Sequence, residues 1–269
     1  MKLIFIKRKF TMTKFRFIIL CLIIFGVALA GCVGKSHFES ERKTVEQQPI
    51  SASKHSTDTL KSVKHLKNGS SIHVVSNPEI IPVLVNKLNK LPDHYKPTDL
   101  IYPDIPFTFK EKIEKRKMRA AAAAAIEKLF AGANQEGVKL LGVSAYRSHE
   151  VQTSLFNHYV KSDGYEAAKR YSAVPGTSEH ETGLAIDVTG GDGKCAAEEC
   201  FEGTEAASWL ENHAAEYGFI IRYPKGRDAI TGYQYEPWHL RYVGKAIAQE
   251  IMSRGITLEE YNNATPVNN

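Results

Sequence analysis

One carboxylate stands in the middle of a segment that is otherwise apolar. Residues 184–188 read LAIDV, which is the composition of a buried β-strand, and Asp187 interrupts the apolar run. Burying a bare carboxylate costs free energy unless a positive charge or hydrogen-bond donors compensate for it. The fold must therefore bring compensating groups to Asp187, and a bound metal ion is one way to do so.

Two histidines and a glutamate complete a candidate metal site. His180 lies seven residues before Asp187 in the polar loop VPGTSEHETG, and Glu236 and His239 belong to the later segment EPWH. Catalytic zinc usually takes three ligands from His, Asp and Glu and leaves a fourth position for water. Glu236 would then stand beside the metal as a base. Spacing alone is weak evidence, because a loop His is often a surface residue and a strand Asp often pairs with an Arg.

The two segments together resemble a known family. Residues 178–187 follow the pattern Ser-x-His-x-x-Gly-x-Ala-x-Asp, and residues 236–239 follow Glu-x-x-His, with Trp238 before the histidine. Together the two patterns resemble those of the zinc D-alanyl-D-alanine carboxypeptidases of the VanY kind. These belong to peptidase family M15, together with L,D-carboxypeptidases and D,D-dipeptidases. The similarity continues through LVNK at 84–87, LP at 91–92, YKP at 95–97 and AYRS at 145–148 with Gln152. It therefore covers roughly residues 82–245.

The resemblance implies an activity, a cofactor and the residues that hold it. The implied activity is removal of the terminal D-alanine from peptidoglycan stem peptides. The implied cofactor is one zinc ion, with His180, Asp187 and His239 as its ligands. Glu236 is implied as the general base, which takes a proton from water and passes it to the leaving amine.

Three further residues are implied to bind the substrate. Arg147 carries a planar fork of donors, which suits the free carboxylate at the end of a stem peptide. Gln152 and Ser178 are implied to hydrogen-bond neighbouring substrate groups. Each has an ordinary alternative, since an Arg often pairs with an acid and Gln152 could be an exposed helix residue.

Several activities remain open at this stage. We expect first a D,D-carboxypeptidase that acts on pentapeptide stems, and second an L,D-carboxypeptidase that acts on tetrapeptide stems. A non-catalytic cell-wall-binding lipoprotein is a more distant alternative, because Glu236 and all three ligands are present. An endopeptidase is also possible, although Arg147 as an anchor for a terminal carboxylate favours an exopeptidase.

The N-terminal segment predicts an extracytoplasmic lipoprotein. Residues 1–31 carry six basic and no acidic residues, with the apolar run Phe17–Ala30, and end in Leu-Ala-Gly before Cys32. This is the shape of a secretory signal, and the apolar run is short for a membrane span. LAGC resembles a lipobox, which implies a lipid on Cys32 and a protein anchored to the outer face of the cell membrane. An uncleaved N-terminal anchor is the alternative.

The same segment removes the case for a nucleic-acid partner. The chain has a formal net charge of +5, and taking away the six leader charges leaves −1 for the rest. No basic footprint remains on the folded part. The polar segment 32–70 predicts a flexible tether after the lipidated Cys.

Two cysteines remain outside the leader, Cys195 and Cys200, in the segment GGDGKCAAEEC. Outside the cytoplasm a short-range disulfide is expected. A zinc pair is the alternative, although the chain has no second Cys pair to complete a structural site. This insertion departs from the family pattern, and we expect a loop there to border the cleft and alter which stem peptide fits.

We predict the α+β class, with helices packed around a small antiparallel sheet in one zinc peptidase domain at 71–260. A polar tail at 261–269 follows, and a monomer is expected. The patterns predict helices at 109–131, 149–164, 165–171, 204–217 and 243–254, and strands near 71–75, 138–146, 184–188, 218–224 and 235–242. In the second of these helices, Val151, Leu155 and Tyr159 are predicted to share one apolar face.

Overall fold

The elements that carry the candidate residues form an antiparallel sheet and the helices around it. The computed structural model describes residues 63–65 and 71–268. Within these ranges the strands are β1 (Val63–His65), β2 (Ser71–Val74), β3 (Asn89–Lys90), β4 (Leu100–Ile101), β5 (Met118–Arg119), β6 (Leu140–Ser144), β7 (Ala185–Gly190), β8 (Phe219–Ile221) and β9 (His239–Tyr242). The helices are α1 (Ala120–Gln135), α2 (His149–Asp163), α3 (Tyr165–Tyr171), α4 (Glu205–His213), α5 (Asp228–Thr231), α6 (Lys245–Arg254) and α7 (Leu258–Tyr261).

The largest sheet has the strand order β6-β7-β9-β8, and all its neighbours are antiparallel. Leu184, Ile186 and Val188 on and beside β7 are fully buried, as the apolar composition of this strand predicted. Side chains of α1, α4 and the sheet form one hydrophobic core. The predicted α+β class with a small antiparallel sheet is confirmed. Two smaller sheets, β1-β2-β3 and β4-β5, complete the strand pairing.

Helix α1 was predicted to span 109–131, and this prediction was wrong at both ends. The helix begins at Ala120 and continues to Gln135. The residues before it are taken up by β5, which pairs with β4, and the backbone N–H of Arg119 donates to the carbonyl of Gly183 at 2.9 Å. These long-range contacts prevail over the local helix propensity of the segment.

Helix α2 has nearly the predicted length but a different buried face. Val151 is 46% exposed, whereas Gln152 and Phe156 are buried. The predicted face of Val151, Leu155 and Tyr159 was therefore displaced by one residue. Apolar periodicity misplaced it because the deepest position of this helix is held by a polar side chain.

The ends of the predicted domain differ in detail from the structure. Strand β1, which pairs with β2, lies within the predicted tether, so strand pairing extends upstream of residue 71. At the other end, α7 was not predicted, and the tail that follows it packs back on the domain. The backbone N–H groups of Val267 and Asn268 donate to Ile230 and Ala229.

The predicted signal segment 1–31, the lipidated Cys32 and most of the tether at 32–70 lie outside the described residues. Among the residues that the structure does describe, no helix has the length and apolar character needed to cross a membrane.

Candidate active site

The pairing of β7 with β9 places two predicted ligands side by side. Asp187 on β7 and His239 on β9 are direct partners in the antiparallel register. Directly opposite residues project from the same face of a sheet, so the two side chains meet. The His239 Nδ1 atom lies 2.9 Å from Asp187 Oδ1, and both residues are buried. The apolar neighbours that make β7 a central strand thus also bury its carboxylate.

His180 reaches the same point from a tight turn that precedes β7. A short 3-10 helix spans Glu179–Thr182 and ends at Gly183, which has φ +68°. A Cβ at Gly183 would come within 2.8 Å of Leu100 Cδ2, so glycine suits both the backbone and the space. His180 Nδ1 lies 2.6 Å from the carbonyl of Ala145 and Nε2 lies 3.3 Å from Asp187 Oδ2.

His180, Asp187 and His239 form a compact group that suits a metal ion. Each offers one ligand atom, and these atoms all lie within 4.8 Å of one another. Two imidazole nitrogens and one carboxylate oxygen are the donor set of many catalytic zinc sites with an open fourth position. The predicted convergence of the three residues is what the structure shows.

Asp187 supplies the negative charge of the group. Burial tends to raise the pKa of Asp187, but the adjacent His180 and His239 outweigh it and hold that pKa well below its usual range. Burial lowers the pKa of His180, which favours the neutral imidazole that a metal requires. Asp187 is therefore ionised at neutral pH.

Glu236 stands beside this group without belonging to it. Its backbone N–H donates to the carbonyl of Tyr223 at 3.0 Å, and its own carbonyl accepts from the His239 N–H at 3.1 Å. Its side chain borders the same cleft as the three ligands. Burial raises the pKa of Glu236 to about 7, which is suitable for a group that must both accept and return a proton.

Arg147 and Ser178 border the cleft on the side of His180. The backbone N–H of Arg147 donates to the His180 carbonyl at 3.2 Å, so the guanidinium starts from a fixed point next to the ligand. Ser178 is buried and lies two residues before His180. Both therefore lie in the region expected of substrate-binding residues.

Gln152 lies against Arg147, one of the other predicted substrate-binding residues. Its side chain is fully buried, its Oε1 accepts from Arg147 Nη1 at 2.9 Å, and its Nε2 donates to the Ala173 carbonyl at 2.6 Å. Both ends of the amide are thus engaged within the protein. In this arrangement Gln152 orients Arg147, and its direct contact with substrate stays a prediction.

The cleft has a volume of about 300 Å³, and one part of its border comes from the insertion after β7. Cys195 and Cys200 form a disulfide, as expected. Ala197, inside the closed loop, borders the cleft together with Tyr159 and Trp238. The expectation that this loop borders the cleft is therefore confirmed.

Sequence reasoning missed a set of buried charges behind the site: Glu179, Arg222, Arg241 and Glu259. All four side chains are fully enclosed. Arg222 directly follows the apolar segment GFII at 218–221, so a charge beside an apolar strand is the signal that could have identified it. Glu259 lies on a short helix that no pattern predicted. Tyr223 was also missed, and its ring stacks on His239 with centroids 5.0 Å apart.

Comparison with known proteins agrees with this geometry. The family described as VanY, D-alanyl-D-alanine carboxypeptidase, matches residues 115–245. The YodJ protein of Bacillus subtilis, described as a carboxypeptidase, is 43% identical over 82% of this chain and 84% of its own length. A D-alanyl-D-alanine carboxypeptidase of Enterococcus faecalis is 35% identical over 67% of this chain and 65% of its own.

Solved structures are similar over the same region. The LdcB LD-carboxypeptidase is 44% identical with a TM-score of 0.71, covering 76% of this chain and 94% of that chain. A VanY D,D-pentapeptidase from a VanB-type resistance cassette, solved with Zn(II), is 32% identical with a TM-score of 0.56, covering 68% and 99%. The ligand geometry and these similarities agree on one zinc ion. The chain belongs to the VanY-type zinc carboxypeptidases, enzymes that act on peptidoglycan peptides.

Proposed function

We propose that this enzyme removes the terminal D-alanine from tetrapeptide stems, as an L,D-carboxypeptidase. The observation that carries the proposal is the similarity to LdcB, at 44% identity and a TM-score of 0.71. An L,D-carboxypeptidase DacB from Streptococcus pneumoniae is 36% identical over 76% of this chain. VanYB, in complex with D-alanine-D-alanine, is 31% identical with a TM-score of 0.57.

The geometry supports action at a free carboxyl end. Arg147 stands one backbone hydrogen bond from His180, so a carboxylate that it grips lies beside the metal group. Gln152 holds the guanidinium in place, and Ser178 borders the same cleft as Arg147. A charge-assisted pair at this position selects for chain ends, because an internal peptide bond has no carboxylate to offer.

The chemistry then divides among few groups. His180, Asp187 and His239 would hold the zinc ion, which would polarise a carbonyl and acidify a water molecule when bound. Glu236 accepts the proton from water as the new C–O bond forms, and it returns a proton to the nitrogen as the C–N bond breaks. Arg147 retains the leaving D-alanine by its carboxylate. Serine takes no covalent part in this scheme.

The second candidate is the D,D-carboxypeptidase that the sequence patterns placed first. The family description and the relative from Enterococcus faecalis favour it. The two activities use the same zinc, base and carboxylate clamp. They differ in the residue before the scissile bond, which is an L-centre of the diamino acid in one and a D-alanine in the other.

The membrane anchor is part of the proposal. Cys32 follows Leu-Ala-Gly after a cationic and apolar leader, which supports a lipid on its thiol. The enzyme would then be held on the outer face of the cell membrane, where stem peptides are accessible. The segment predicted as a tether, 32–70, would then give the domain reach toward the wall.

Mass-spectrometric product analysis tests the substrate. The full chain, purified in detergent and loaded with zinc, is incubated with matched tetrapeptide and pentapeptide stems, and Glu236→Gln serves as the inactive control. Loss of one alanine from the tetrapeptide with little from the pentapeptide supports the L,D proposal. The opposite preference overturns it in favour of the D,D activity, and cleavage of neither would refute both.

A further inference from the structure

Glu179 is a buried carboxylate whose two oxygens face different partners. Oε1 accepts from Arg222 Nε at 2.7 Å and from Arg241 Nη1 at 2.6 Å. Oε2 lies 3.4 Å from the Nε2 atom of the zinc ligand His239. The catalytic scheme above gives Glu179 no part, although it connects directly to a metal ligand.

The two arginines extend this contact into the body of the domain. Arg222 donates to both oxygens of Glu259 on α7, at 2.9 and 2.6 Å. Arg241 Nη2 donates to the carbonyls of Ile81 and Val83. The two arginines thus hold Glu179 Oε1, and each arginine is itself hydrogen-bonded to a segment near one end of the domain, Arg241 to 81–83 and Arg222 to α7.

A buried cluster of charges contributes little net free energy to the stability of a core. Two acids and two bases lie fully enclosed, and apolar residues of similar volume often stabilise a protein as well or better than buried ion pairs do. The charges balance within the cluster, so it needs no further partner for its own sake. The contact with His239 is the part that packing alone does not require.

The two histidine ligands show why an acceptor is needed there. His180 directs Nδ1 to the Ala145 carbonyl, which leaves Nε2 toward Asp187. His239 is turned the other way, with Nδ1 toward Asp187 and Nε2 toward Glu179. A neutral ligand imidazole carries its proton on the nitrogen that does not face the metal, and an outer acceptor fixes that choice.

We propose that Glu179 is a positioning residue of the zinc centre: its Oε2 accepts the Nε2–H of His239 and holds that ring so that Nδ1 faces the metal. Arg222 and Arg241 keep the carboxylate in place. The inference rests on the zinc site and not on which stem is cleaved. Metal affinity is its readout, so its failure is distinguishable from failure of the proposed substrate.

Glu179→Gln is the sharpest substitution, because it keeps the shape and changes the hydrogen bonding. The two arginines require an acceptor at the inner position, so the amide oxygen stays there and the amide nitrogen turns toward His239. A donor then faces the Nε2–H donor. Loss of such an outer contact typically costs about 10- to 100-fold in metal affinity.

Glu181→Gln provides the matched control. Glu181 is a second buried glutamate in the same turn, but its partners are His149 Nδ1 at 2.8 Å and the Gly176 N–H at 2.7 Å. Glu259→Gln is a second control, since it removes a charge from the far end of the cluster. Both are expected to bind zinc within about twofold of the unaltered chain, whatever they do to stability.

Zinc affinity of the full chain is measured by competition with a chromophoric chelator, and the cobalt-substituted protein reports ligand geometry by its visible spectrum. A tenfold or greater loss and an altered spectrum in Glu179→Gln, with neither control affected, supports the proposal. Unchanged zinc affinity in Glu179→Gln overturns it, as does an equal loss in Glu181→Gln.

A measurement without any variant covers the case in which Glu179→Gln does not fold. Nitrogen-15 spectra of the histidine rings in the zinc-loaded chain show which nitrogen of His239 carries the proton. A proton on Nε2 supports the proposal. A proton on Nδ1 refutes it.

Discussion

Arg147 offers a test in which the enzyme and the substrate are altered together. Its Nη1 donates to Gln152 Oε1 at 2.9 Å and its backbone N–H donates to the His180 carbonyl, so the charged fork is already oriented in the free enzyme. A hydrogen bond to a charged group contributes about 1.5–3 kcal/mol, and a two-pronged grip on a carboxylate makes two. Arg147→Ala is therefore expected to lower kcat/KM by roughly 10²- to 10⁴-fold.

The matched substrate change is a stem peptide that ends in a carboxamide. The unaltered enzyme should lose a similar factor on the amide, because its guanidinium then has no carboxylate to bind. Arg147→Ala should cleave the acid and the amide at nearly equal rates, since the interaction is already missing. The four rates form a double-mutant cycle whose coupling energy isolates this one contact.

The assay is release of the terminal residue under kcat/KM conditions at saturating zinc. Gln152→Leu is the companion variant, because it removes the group that orients Arg147 while leaving the guanidinium present. Its ratio of kcat/KM on the acid to kcat/KM on the carboxamide should be smaller than that of the unaltered enzyme. If Arg147→Ala lost the same factor on acid and amide, the proposed carboxylate clamp would be refuted.

Three further outcomes are expected. Glu236→Gln should bind zinc normally and lose about 10²- to 10⁴-fold in kcat, whereas His180→Ala should lose the metal itself. Zinc content and reaction rate are measured on both variants. A fully active Glu236→Gln variant would refute the role of Glu236 as the base. Burial raises the pKa of Glu236 to about 7, and the base works in its ionised form, so kcat/KM should decrease as the pH falls below that pKa. Bound zinc should move this decrease to lower pH. A profile of kcat/KM that stays flat down to about pH 4 contradicts the assignment of Glu236 as the base. Cys32→Ala should release the protein from the membrane fraction, as cell fractionation would show, and retention there would favour an uncleaved anchor.

The ligand set was predictable from the sequence because Asp187 interrupts an apolar pattern and the two histidines belong to a family motif. Asp187 stands in an apolar strand, and His180 and His239 stand in short motifs that recur together in one family. The register that joins Asp187 to His239 follows from which strands are adjacent, and periodicity alone does not give it. The family resemblance supplied that information.

What the sequence could not provide depends on long-range contacts. The start of α1 was misplaced because Met118 and Arg119, just before Ala120, pair with β4. The face of α2 was misplaced because Gln152 is buried by Arg147 and Ala173, and hydropathy assigns glutamine to the surface. Glu259 joins Arg222 from a segment 37 residues away, which no local pattern could show.

Because β7 pairs with β9 at the ligands, zinc binding also depends on the register of these two strands. Side chains alternate between the faces of a strand, so a slip of one residue would send Asp187 and His239 to opposite faces. A misregistered chain would have no three-ligand site to fill. Zinc therefore stabilises the native register by a free energy of RT ln(1 + [Zn]/Kd) and does not stabilise slipped registers. The ion that serves hydrolysis therefore also favours the native strand register at equilibrium.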